Sequence, residues 1–333
     1  MLLKYLTICF CCLVTLSLPA EVVRRISVDI GSSEAKWTIA DVDTETNSIK
    51  EIKHQDFRIV GLRKDLVNSS NNTLSPEAQE RLLDTLREMK VIASDHAPQQ
   101  WSGIATSVFR TANNGQHLLD RIKNELNLHI QLIPQTDEGE VGFVSAAAAS
   151  GLNPHEIVSW DSGAGSFQIS SIVDGKLEIY GAEFAYVPAL ETFAALRGHK
   201  YDSNQTFNPI RLSEIKAFAK AIKAKLPEVP EWLEYTTKKF VAIGGVSIFS
   251  IAENVLGSSV YTKKQVWDAI ERLSGKNDAE LERYVTPPVT PKSILVGLTL
   301  LYAVMDHCNI DELTYARTNG SCEGLLVLPK YWE

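Results

Sequence analysis

Apolar and polar positions alternate in short runs near the start of this chain. "RRISVDIG" sets Ile26, Val28 and Ile30 on one side and polar residues on the other, the period of a strand. "AKWTIADVD" follows as its hairpin partner, with "GSSE" as the turn. The period then lengthens. Ser75 and Pro76 read as N-cap and first helical residue, and Leu82, Leu83, Leu86 and Met89 form a helical stripe. "WSGIATSVFR" reads as a strand running into a loop, "GQHLLDRIKNEL" as an amphipathic helix and "HIQLIP" as a strand. "DEGEVGFVSAAAAS" suits a helix from near Asp137, packed closely through its alanines.

The second half repeats the plan. "EIVSWDSGAGSFQISSIVDGKLEIYGAEF" reads as strand, Gly turn, strand, Asp174-Gly175 hairpin and strand. A largely helical middle includes "SEIKAFAKAIKAKL". "KFVAIGGVSIFSIAENVL" is strand, Gly turn and helix, and "SILVGLTLLYAVMDHC" a strongly apolar helix. "ELTYARTNGSCEGLLVL" is a last strand, a Gly turn and a helix or strand. Strands alternating with helices predict an α/β fold, and the doubled start predicts two similar domains with a cleft between them.

The first twenty residues, "MLLKYLTICFCCLVTLSLPA", read as an export signal cut after Ala20. That leaves domain I over 21–137, with 320–333 packing back on it, and domain II over 138–319. The net charge of −8 argues against nucleic acid or an anionic membrane as the main partner, and no later segment reads as a membrane anchor. A homodimer is left open. Beyond the signal stand Cys308 and Cys322. The strand between them separates them by ~20 Å, against the ~7 Å a disulfide allows, so two free thiols are expected.

Five segments carry candidate chemistry: "DIGSS", "ATSVFR", "TDEGE", "DSGAGS" and "AIGGVS". Each falls at a strand end or a helix start. Gly/Ser turns there let backbone N–H groups gather on one anion. The first comprises Gly31, Ser32 and Ser33, the second Gly163, Ala164, Gly165 and Ser166, and Gly244 and Gly245 form a third. Asp29 and Asp161 are placed to hold a hard divalent cation or its water. Arg110 offers a fork for phosphate oxygens. Glu138 is the candidate general base. Lys216, Lys220 and Lys223 share one helical face, read either as solvated surface or as a guide for a polyanion.

In the order and spacing of "ATSVFRTANNGQHLLDRIKNELNLHIQLIPQTDEGE" and "VSWDSGAGSFQIS", the chain resembles the exopolyphosphatase/guanosine pentaphosphate phosphohydrolase (Ppx/GppA) family, within the actin-like ATPase superfamily. The resemblance implies two actin-like (ribonuclease H-like) domains with phosphate loops facing across the cleft. It also implies Mg²⁺ and hydrolysis of phosphoric anhydrides in polyphosphate or nucleotide polyphosphates. It makes Arg110 a phosphate ligand, Glu138 the catalytic base, and Asp29, Asp161 and Gln168 the metal side of the site. Three residues depart from the family pattern: Glu34 in the first turn, Gln168 where a Glu is usual and Cys322 where an Arg is common. Gln168 is expected to face the cleft near Asp161. An apyrase-like ectonucleotidase and a catalytically degenerate phosphate-binding protein are the rival readings. With Asn319 of the "NGS" sequon near the cleft, the expected location is secreted, in a bacterial periplasm.

Overall fold

The computed structural model describes residues 21–202, 204–285 and 289–332, so the segment read as an export signal lies outside the described residues. Among the described residues, eleven strands form two sheets. The first holds β1 (Val22–Ile30), β2 (Glu34–Asp43), β3 (Ser48–Ile59), β4 (Gln100–Ala105) and β5 (Ile130–Leu132), in the order β3-β2-β1-β4-β5. The second holds β6 (Ile157–Ser162), β7 (Phe167–Val173), β8 (Lys176–Ala182), β9 (Lys239–Gly244), β10 (Val260–Thr262) and β11 (Glu312–Tyr315), in the order β10-β11-β9-β6-β7-β8.

The two orders are one plan used twice. β1, β2 and β3 form an antiparallel meander, and β4 and β5 join β1 in parallel. β6, β7 and β8 form the matching meander, with β9 and β11 added in parallel. The hairpin turns match too. Gly31 N–H donates to Glu34 O at 2.9 Å, and Gly163 N–H donates to Ser166 O at 2.9 Å.

The apolar stripes pack as the sequence predicts. Ile26, Val28, Trp37 and Ile39 are fully buried with Leu82, Leu83, Leu86 and Met89 of the helix Pro76–Ser94. Ser75 caps that helix by accepting from Ala78 N–H at 3.2 Å. In the second half Trp160, Phe167 and Ile169 pack with the apolar helix Ile294–His307. Cys308 and Cys322 are both free and buried, as the strand length requires.

One segment carries no sequence reading and two differ from theirs. The polar-rich "SIKEIKHQDFRI" is the long edge strand β3. The segment after β4, read as loop, includes a short helix, Ser107–Thr111. The helix expected from Asp137 begins at Gln135, so the 137/138 boundary falls in its first turn. The helix Cys322–Val327 packs on β1, β2 and the helix Gln135–Ser150, with Leu326 and Val327 against Ala40 and Val42. Arg25 ties it down by donating to Leu326 O at 3.0 Å.

Candidate active site

A cleft of about 610 Å³ opens between the two sheets. Asp29 and Asp161, each the last but one residue of its strand, stand on its floor. Both are at least nine-tenths buried. Ser321, from the turn after β11, touches both. Its N–H donates to Asp29 Oδ2 at 3.4 Å and its Oγ to Asp161 Oδ2 at 3.2 Å. Asp161 is also walled by glycine backbone. A Cβ at Gly142 would lie 2.8 Å from its Oδ2, and one at Gly244 2.8 Å from its Oδ1. Gly244 has φ of +67° as well, so a side chain there is excluded twice over.

Burial raises the pKa of both acids. Asp161 is pushed up to about 7, first by desolvation and then by the charge of Asp29, with Lys36 and Ser321 pulling it back. Asp29 is raised by burial, opposed by Lys36 and the Ser321 N–H. Lys36 is the cross-strand partner of Asp29 in the β1–β2 hairpin. Its Nζ lies 3.3 Å from Glu34 Oε2. Glu34 therefore meets a cation inside the protein, which answers the repulsion its carboxylate would offer phosphate.

The three Gly/Ser turns converge. Gly31, Ser32, Ser33, Gly163, Ala164, Gly165, Ser166, Gly244 and Gly245 all line the cleft. The first turn is pinned from behind: Val60 and Gly61 N–H donate to Ser33 O, and Arg63 N–H to Ser32 O. The second is held by Val187 N–H to Ala164 O at 2.8 Å, the third by Gly245 N–H to Ser162 O at 2.7 Å. The Ser32 hydroxyl is buried without a hydrogen-bond partner.

Glu138 lines the cleft from the first turn of the helix Gln135–Ser150. Only 8% of it is exposed, and desolvation lifts its pKa to about 8 against the pull of Arg110. Arg110 Nη1 donates to Glu138 Oε2 at 2.8 Å and to Ile133 O at 3.1 Å. Its Nη2 donates to Glu183 Oε1 at 2.9 Å. Arg110 thus stands beside the base with its fork occupied by carboxylates, and is not among the cleft-lining residues.

Gln168 corrects the sequence reading. It is the register partner of Asp161, on the face opposite to core residue Phe167. Yet it is 1% exposed and absent from the cleft lining, its Nε2 buried without a partner. The side chain lies behind Asp161, on the face that the helix Gln135–Ser150 covers. The Lys216, Lys220 and Lys223 face also lies off the cleft, and Lys223 is paired with Asp306 at 2.7 Å.

Among the described residues no three His, Cys, Asp or Glu side chains converge into a metal cage. What the cleft does offer is two carboxylates at facing strand ends beside loops suited to phosphate. Mg²⁺ is usually held that way, by one or two carboxylates with substrate oxygens completing the shell. The donor set fits a cation that arrives with its anion. No described helix is long and apolar enough to cross a membrane.

Sequence reasoning missed Lys36, Ser107, Glu183 and Ser321. The closing bond of the first hairpin would have placed Lys36 opposite Asp29. The other three act across the cleft, and no local pattern reports them.

The chain is similar to several known proteins. Exopolyphosphatase 1 of Mycobacterium leprae is 27% identical over 118 residues, which is 35% of each chain. Exopolyphosphatase 1 of Mycobacterium tuberculosis is 28% identical over 118 residues, 35% of this chain and 34% of its own. Each match thus spans about a third of the relative. Among solved structures, the Aquifex aeolicus PPX-GPPA enzyme superposes with a TM-score of 0.71 at 23% identity, covering 92% of this chain and 99% of that one. An exopolyphosphatase from Cytophaga hutchinsonii gives 0.72 at 18% identity, covering 91% and 96%. These likenesses show the fold, two actin-like domains about a cleft. The family model of the Ppx/GppA phosphatases matches residues 38–328, and with that the chain belongs to the Ppx/GppA phosphatase family.

Proposed function

We propose that the protein hydrolyses phosphoric anhydride bonds, releasing a terminal phosphate from inorganic polyphosphate or a nucleotide polyphosphate. The observation that carries this reading is the pair of strand-end acids, Asp29 and Asp161, joined by Ser321 under two Gly/Ser turns, with Glu138 beside them.

The turns cradle the terminal phosphoryl group. A divalent cation, held when bound by Asp29 and Asp161, supplies charge neutralisation for the transferring group. Glu138 takes the proton of the attacking water. Its burial suits that task, because a carboxyl with pKa about 8 holds a proton far more firmly than an exposed one. Arg110 orients Glu138 and, once its fork turns from Glu183, meets the phosphoryl oxygens. The division into 21–137 with 320–333, and 138–319, belongs to the same proposal. So does export through residues 1–20.

A nucleotide reading has its own support: Phe57, Ile59, Tyr186, Leu190 and Tyr201 give the cleft lining apolar surface that suits a base. The test is phosphate release by residues 21–333 from polyphosphate, ATP and ADP, with and without Mg²⁺. Release from polyphosphate alone supports the exopolyphosphatase reading. Release from ATP and ADP alone moves the assignment to the nucleotide reading. Tight phosphate binding with no release from any of them sinks the enzyme reading in favour of a binding protein.

A further inference from the structure

The carboxylate of Glu183 is held like a guest. Glu183 follows β8 in the second half of the chain, while its partners belong to the first half. Ser107 Oγ donates to Glu183 Oε2 at 2.7 Å, and Arg110 Nη2 donates to Glu183 Oε1 at 2.9 Å. Each carboxylate oxygen thus takes one donor, the arrangement a phosphate would make with a hydroxyl and a guanidinium.

The surroundings point to the same spot. Ser107 lines the cleft. A Cβ built on Gly165 would lie 3.1 Å from Ser107 Oγ and 3.1 Å from Ser32 Oγ, so both phosphate loops meet here. The Ser32 hydroxyl, in a residue 5% exposed, is buried with no partner. A buried hydroxyl is ordinarily satisfied. The Glu183 side chain, by contrast, is 46% exposed and sits on the turn before the helix Tyr186–Leu196. It can swing to solvent at small cost.

We propose that Glu183 is a specificity-determining residue that acts as an internal anion, occupying the phosphate position of Arg110 and Ser107 until a ligand displaces it. The inference rests on the reading of the cleft as a phosphate site. A ligand enters only if it offers two acceptor oxygens and more charge than one carboxylate. A terminal phosphate, with its second ionisation near pH ~6, meets both demands. A carboxylate ligand or an internal, singly charged phosphate does not. Because Glu183 and its donors come from opposite sides of the cleft, displacing it also frees the two halves to adjust around the ligand.

The test is calorimetric titration of inorganic phosphate and pyrophosphate into the wild type, Glu183→Gln and Glu183→Ala, with melting temperatures as the folding control. Gln keeps the shape and the acceptor oxygen but removes the charge. Both variants should bind phosphate about two- to fivefold more tightly, the size expected for relieving one partly exposed charged pair. In turnover, KM should fall with kcat little changed. Equal binding by wild type and variants overturns the gate while leaving the phosphate site standing. Weaker binding by the variants makes Glu183 a support for Arg110 and overturns it also. No phosphate binding by any of the three removes both the gate and the phosphate-site reading beneath it.

Discussion

Glu138→Gln tests the proposed base and the energetics of its burial in one variant. The side chain is 8% exposed, and desolvation lifts its pKa from 4.5 to about 8. The folded protein therefore holds this proton more firmly than the unfolded chain does. Any such group gives stability that is complete below the unfolded pKa and lost as pH rises through the folded one. Between the unfolded value and pH 7 lie roughly 2.5 units at about 1.4 kcal/mol each. At neutral pH the wild type is thus about 3 kcal/mol less stable than it would be with a neutral group in that place. Gln is neutral at every pH, has the same reach, and keeps an oxygen for Arg110. The variant should therefore be more stable at pH 7 by up to that amount, with no gain near pH ~4. Phosphate release should fall by about 10²–10⁴, the usual loss without a general base. Wild-type release should rise with pH toward about 8, as the carboxyl ionises. Urea unfolding at about pH 4 and about pH 8, beside phosphate release, reads every arm. Undiminished turnover in the variant refutes the base. A stability difference that does not grow with pH refutes the buried carboxyl.

Gly142→Ala should lower both activity and stability, the latter by about 1–3 kcal/mol, because the new methyl would lie 2.8 Å from Asp161 Oδ2 and 3.0 Å from its Cβ; a variant with wild-type melting and turnover refutes the tight enclosure of Asp161. Gln168→Glu should destabilise the protein without lowering the Mg²⁺ concentration for half-maximal release, since position 168 is 1% exposed and adjoins an Asp already raised to about 7; a lowered Mg²⁺ midpoint would return Gln168 to the cation site. Cys308 and Cys322 should resist alkylation in the folded protein and both react after unfolding without reductant; a single labelled thiol or a crosslinked peptide contradicts this.

Much of the architecture is legible in the sequence because the repeat is written in local signals. Each meander begins with an apolar strand that carries Asp as its last but one residue, and each turn has the Gly and Ser its backbone needs. From those turns the cleft, Asp29 and Asp161 follow, while Glu138 follows from the helix start after "LIP" and from the family resemblance. β3 is not legible because an edge strand need not bury a face. Its twelve residues include three lysine or arginine side chains, and Ile59 is 57% exposed. The alternation rule gave Gln168 its correct face of β7 and the wrong outcome, because that face is shared between the cleft and the covering helix. Asp161 at the strand end reaches the cleft; its partner one strand over lies under the helix Gln135–Ser150. Arg110 is legible as a residue of the site but not as one already engaged, since its partner Glu183 lies 73 positions away in the chain.

The repeat is broken at one matched pair of positions, and the break governs how the cleft handles charge. Lys36 stands opposite Asp29 in the first hairpin, and Gln168 stands opposite Asp161 in the second. One half answers its strand-end acid with a cation and the other with a neutral amide. Lys36 is left to serve Asp29, Glu34 and Asp161 together, and all three hold its proton more firmly. Arg110 is likewise shared between Glu138 and Glu183. Asp29, Glu34, Asp161, Glu138 and Glu183 thus share Lys36 and Arg110, while Lys64 and Arg317 line the cleft beyond them, and burial makes up part of the difference by keeping protons on Glu138 and Asp161 near neutral pH. A bare polyanion that reaches these carboxylates is repelled by them. One that brings a divalent cation is not, and the cation alone lacks the oxygens that complete its shell. On the proposed reading each should raise the affinity of the other, by the same factor in both directions. Phosphate affinity measured without divalent cation is then set chiefly by the loops and by how readily Glu183 yields Arg110.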